Sequence, residues 1–356
     1  MRYQIILVVS VLIFSANACT AQKIQNVQSY GNISKIAALE NARAAHTATR
    51  LLSGDVLVGG GMQKNGVFYD DAEIFNPSKN SFTTLKNKMT KKRVSHTATL
   101  LKDGRVLIVG GWSNRNDPEN TAEIYEPKIQ KFIAVGNTKF ARSGHSSTLL
   151  ENGRVLIAGG YDGERNLSEA ELFDPETNTF EFIGKMNTAR NVHSATKLKN
   201  SKILLTGGEI KRDEIALSAE IFDPKTNHFI KVSAKMNAVR YKHDAVLLSD
   251  GNVLIFGGSD EKDQGGKLNS AEIFNPEKQT FTPTKDMNFA RFKIAETATL
   301  LENGKVLIAG GNVEAEIFNP ETRSFEKVSG SLGKSLHYSS VTLLKDGRAL
   351  ILGGYE

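Results

Sequence analysis

The stretch HTATLLKDGRVLIVGG, residues 96–111, packs two strands and a turn into a short span and ends in paired glycines. His96 to Leu101 alternates as a half-buried strand does, and Val106 to Val109 is the unbroken apolar run of a fully buried one. Between them Lys102-Asp103-Gly104 signals a hairpin, for which a type I′ turn with two left-handed residues is expected. Working outward, the double glycine returns at Gly60-Gly61, Gly159-Gly160, Gly207-Gly208, Gly257-Gly258, Gly310-Gly311 and Gly353-Gly354. Successive intervals are 50, 49, 48, 50, 53 and 43 residues. Self-similarity at this period means stacked units that cannot bury their apolar faces alone.

After each double glycine a variable loop leads to a third strand, such as Ala122 to Pro127, and Phe132 opens a fourth. Four antiparallel strands per unit describe a propeller blade, so the fold class is an all-β propeller. Phe75, Tyr125, Phe173, Phe222, Phe274 and Phe318 end the third strands, and Phe82, Phe132, Phe180, Phe229, Phe281 and Phe325 start the fourth. Burying each between blades contributes about 1.5–3 kcal/mol.

Across 356 residues, 40% hydrophobic and 24% charged residues describe an ordinary globular chain. The net charge of +6 is modest and scattered, so no nucleic-acid partner is expected. Residues 1–18 read as an export signal: a basic start, an apolar run from Ile5 to Phe14, then Ala16-Asn17-Ala18. Cys19, the only cysteine, follows directly and resembles a lipobox cysteine, although Ala16 stands where leucine is usual. The expectation is export to a bacterial cell envelope with acylation at Cys19 as the only membrane attachment, or otherwise plain secretion. Residues 19–42 form an N-terminal segment and 43–356 the propeller, expected to be a monomer without metal or cofactor.

The pattern Arg-x-x-His, hairpin, Gly-Gly and two aromatics resembles the kelch repeat over about residues 30–356. The outer tryptophan of that family is phenylalanine here in every unit. First and second strands occur seven times, third and fourth strands six. Seven blades are therefore favoured, the last completed by Ile33 to Ile36 and Ile24 to Gln28; six blades with two leftover strands is the alternative.

In eukaryotic kelch adaptors, arginines before the inner strand line the channel mouth and grip acidic peptides. The resemblance places Arg43, Arg93, Arg142, Arg190, Arg240 and Arg291 there. Each blade also carries a third-strand glutamate (Glu73, Glu123, Glu171, Glu220, Glu272 and Glu316), so internal ion pairs are the competing reading. His46, His96, His145, His193 and His243 recur once per blade and read as scaffold rather than metal ligands.

Residues after the double glycines vary, and among them Trp112, Tyr161, Glu209 and Tyr355 suit a protein or glycan ligand. Blades six and seven break the spacing, with 19 residues from Arg291 to Gly310 and from Lys334 to Gly353, and Glu296 takes the place of the histidine. A non-catalytic binding module is expected. The copper-radical chemistry of the kelch enzyme galactose oxidase needs a cysteine beside the metal, and Cys19 lies in the export signal. The alternative is a sialic-acid mutarotase or epimerase, with Glu209 or Glu296 and a nearby arginine or histidine as the acid–base pair.

Overall fold

The computed structural model describes residues 7–10, 31–261 and 266–355. Six blades, each four antiparallel strands from one uninterrupted stretch, span 47–84, 97–134, 146–185, 194–231, 244–283 and 298–327. In the second, Thr97–Leu100, Val106–Val109, Ala122–Glu126 and Lys131–Ala134 pair in order from the channel outward. Second strands are wholly buried, as their unbroken apolar runs require.

The favoured count of seven blades is corrected to six. The hairpin of His337–Leu343 and Ala349–Tyr355 does not draw its outer half from the same stretch of chain. It closes the ring as a composite sheet, borrowing Leu7–Ser10 beside Ala349–Tyr355 and Asn32–Lys35 at the edge. The outer strand falls near its expected place. The third comes from within the segment read as an export signal, and the expected Ile24 to Gln28 lies outside the described residues.

Seven apolar clusters fill the boundaries around the ring. Tyr125 of the second blade packs with Leu57 and Met89 of the first, and Phe75 of the first packs with Leu350 and Leu352 of the closing sheet. Each third-strand aromatic also meets its fourth-strand partner, with centroids 4.8–5.0 Å apart. The hairpin turns differ from expectation. Gly104 N–H donates to Leu101 O and only the glycine is left-handed, at φ 91°, which is a type I turn closed by a glycine bulge.

Candidate ligand site at the channel mouth

The repeated arginines are scaffold groups. Arg93 is fully buried; its Nη1 donates to Gly110 O at 2.8 Å and Thr121 O at 3.0 Å, and its Nε to Glu123 Oε1 at 2.8 Å. Arg142, Arg190 and Arg240 repeat this with Gly159, Gly207 and Gly257 and with Glu171, Glu220 and Glu272. Glu123 also accepts the amide of Thr90, which pins the entry loop of its blade. A buried guanidinium whose Nη donors are taken up by carbonyls and a carboxylate of its own blade serves packing.

The histidines are scaffold groups too. His96 Nε2 meets Thr47 Oγ1 of the preceding blade at 3.1 Å, and His145 meets Thr97 Oγ1 at 2.9 Å. Burial and the adjacent arginine push His46, His96 and His193 down to about 3, so the imidazoles are neutral. The first glycine of each pair makes room for the next blade. A Cβ on Gly60 would stand 2.6 Å from Arg93 O and 2.7 Å from His96 Cε1. Among the described residues, no cluster of three or more His, Cys, Asp or Glu could hold a metal.

Two residues after each arginine the backbone turns left-handed, and these residues ring the mouth. They are Ala45, Ser95, Gly144, Val192, Lys242 and Lys293, with Tyr338 in the closing sheet. Their peptides join in a belt: Ala45 N–H donates to Tyr338 O, Ser95 to Ala45, Gly144 to Ser95, Val192 to Gly144 and Lys242 to Val192. Ile294 to Lys242 and Tyr338 to Lys293 complete it.

The mouth is one-sided. Ala45, Ser95, Gly144 and Val192 make half of it small and uncharged. On the other half Lys242 Nζ lies over Tyr241 at 5.0 Å and Phe292 at 5.4 Å, while Lys293 Nζ lies over Phe292 at 5.3 Å and Tyr338 at 5.2 Å.

Blade six also changes the floor. Ile294, not Glu296, occupies the histidine position, its Cδ1 facing Gly257 as His96 faces Gly60. Ala295 and Glu296 are therefore an insertion. In the closing sheet Leu336 O accepts the amide of Gly311, so Leu336 rather than Lys334 holds the arginine position and nothing is inserted there. Glu296, left-handed at φ 63°, lines both the mouth and the channel below it. It is wetted yet walled in by the channel, and this confinement pushes its carboxyl up.

Asp244 stands where other blades place a hydroxyl. Its Oδ2 accepts the amides of Thr297 at 2.9 Å and Ala298 at 3.1 Å, which fastens the insertion. Burial, with a smaller push from Glu296, raises it to about 7 against the pull of those amides.

The comparisons fit this geometry. The sequence matches the Attractin/LZTR1 beta-propeller family over residues 23–260 and the Kelch motif over residues 245–288. The chain belongs to the Attractin/LZTR1 beta-propeller family. This kelch propeller is similar to a solved fungal alcohol oxidase of the AA5 family, in complex with copper. The TM-score is 0.70 at 15% identity, covering 88% of this chain and 74% of that one. At that identity the likeness shows the fold alone. A search of curated proteins gives no significant match.

Of the residues singled out from the sequence, Glu296 enters the channel cavity while Trp112, Tyr161 and Glu209 sit one layer out. Their backbones pair with Val94, Ser143 and Asn191 of the same blades. Trp112 and Tyr161 meet at 6.0 Å between centroids, and Tyr355 meets Tyr338 at 5.9 Å. Cys19 lies outside the described residues. Lys242, Lys293, Tyr338 and Asp244 were missed. The signal was the dipeptide after each arginine, which changes from Ala44-Ala45, Val94-Ser95, Ser143-Gly144 and Asn191-Val192 to Tyr241-Lys242 and Phe292-Lys293.

Proposed function

We propose that this propeller is an exported, non-catalytic binding module that takes a protein or glycan ligand at the channel mouth. It is held at the bacterial cell envelope through Cys19 once cleavage has removed residues 1–18 and with them the strand Leu7–Ser10 from the closing sheet. The one-sided mouth carries this reading, because a purely structural ring has no need to differ between halves. Conformational cost supports it. Six of the seven ring positions are left-handed without being glycine, at about 1 kcal/mol or more each, so their side chains are kept against the backbone's preference. The rim pair Trp112 and Tyr161 extends the surface outward.

The test is capture from envelope extracts and on a glycan array. Trp112→Ala should weaken capture by about 2 kcal/mol with an unchanged melting temperature. Full capture by the variant would move the site elsewhere. Cys19→Ala should shift the protein from the detergent to the aqueous phase, and unchanged partitioning would remove the anchor.

A catalytic reading of the mutarotase or epimerase kind draws on one observation. Glu296 lines the channel and Asp244 lies close enough to feel its charge, the latter poised near neutrality as acid–base chemistry wants. Anomer exchange followed by NMR would support it if Glu296→Gln abolished the acceleration.

A further inference from the structure

We infer that the mouth takes its ligand by an oxyanion group, a carboxylate, sulfate or phosphate, seated against Lys242 and Lys293; this rests on the mouth being the binding face. The arginines, the obvious cations of the fold, have their donors turned inward to glycine carbonyls and glutamates. Lys242 differs. Among the described residues no carboxylate pairs with it, and its ammonium is held by ring faces. Such faces position a cation without neutralising it, so the charge stays available to a ligand.

Lys293 shares the Phe292 ring and brings a second positive charge to the same side. The opposite wall of Ala45, Ser95 and Gly144 leaves room for the body of a ligand and offers no competing charge. Glu296 lies on the floor with Asp244 turned to the amides of Thr297 and Ala298 beside it, while His46, His96, His145 and His193 are neutral. An anion is therefore favoured at the rim and disfavoured deeper, which orients the ligand.

The experiment titrates the full chain by NMR at low salt with sodium glucuronate, sodium sulfate and glucose. Both anions should bind saturably and glucose should not, with affinity falling as sodium chloride is raised. The double variant Lys242→Gln/Lys293→Gln should lose about tenfold or more, as expected for charged hydrogen bonds. Lys278→Gln, the same charge change on an exposed turn, should lose nothing. Sulfate binding alone would keep the oxyanion site and make its ligand a free inorganic ion.

Silence from both anions, equal binding of glucose, or an unaffected double variant overturns the inference. Should the double variant fail to fold, the salt dependence of the parent decides: affinity indifferent to salt overturns it. Loss of envelope capture in Trp112→Ala with no anion binding would leave the binding reading standing and remove this one.

Discussion

Arg142 shows how a residue that looks like a ligand hook becomes a rivet. Its guanidinium reaches Gly159 O at 2.6 Å, Glu169 O at 3.2 Å and Glu171 Oε1 at 2.5 Å, all within one blade. Arg142→Ala should destabilise by about 3–5 kcal/mol, seen in denaturant melts, because Glu171 is left buried and unpaired. Arg142→Lys should rescue little, since one ammonium cannot span the same fork of acceptors. The equal tally of arginines and glutamates made the pairing legible in sequence; the glycine carbonyls as acceptors were not, since any residue has a carbonyl. Ser201 is a smaller case. It sits at φ 66° where other hairpins place glycine, so Ser201→Gly should stabilise by about 1 kcal/mol in the same melts.

Blade six shows what a two-residue insertion does to an element. Counting back from Gly310 put Glu296 on the histidine position, but the extra residues entered after Ile294, so the count slipped. A spacing reports that something was inserted and not where. Asp244 has a matching consequence for pH. It ionises near 3.8 in the unfolded chain and near 7 in the fold, so the folded state holds its proton longer. Its ionisation therefore costs stability progressively as pH rises from about 4 to 7, and Asp244→Asn should raise the melting temperature at pH 8 with the gain vanishing below pH 4. No gain at pH 8 would place the proton elsewhere. The histidines act oppositely. Held near 3 in the fold against 6.5 unfolded, they leave stability intact above pH 6.5 and withdraw it as pH falls toward 3.

At the scale of the molecule the decisive feature is closure. The unequal strand tally said that outer strands must come from the N-terminal side, and Asn32–Lys35 answers that need. The identity of the third strand was not legible, because a short apolar run reads equally as an export signal and as a buried strand. Deleting residues 32–35 should lower the melting temperature and raise light scattering by uncovering an edge. Closure also changes what the mouth belt is. A row of peptide bonds on an open element has two ends from which it frays, whereas this one returns on itself and has no first member to release. The amides of Ala45, Ser95, Gly144, Val192, Lys242 and Tyr338 should then exchange with deuterium together and at the slow rate of global opening, despite ringing an open cavity. Cutting away the last hairpin would turn the hoop into an arc, with Ala45 and Lys293 as its loose ends.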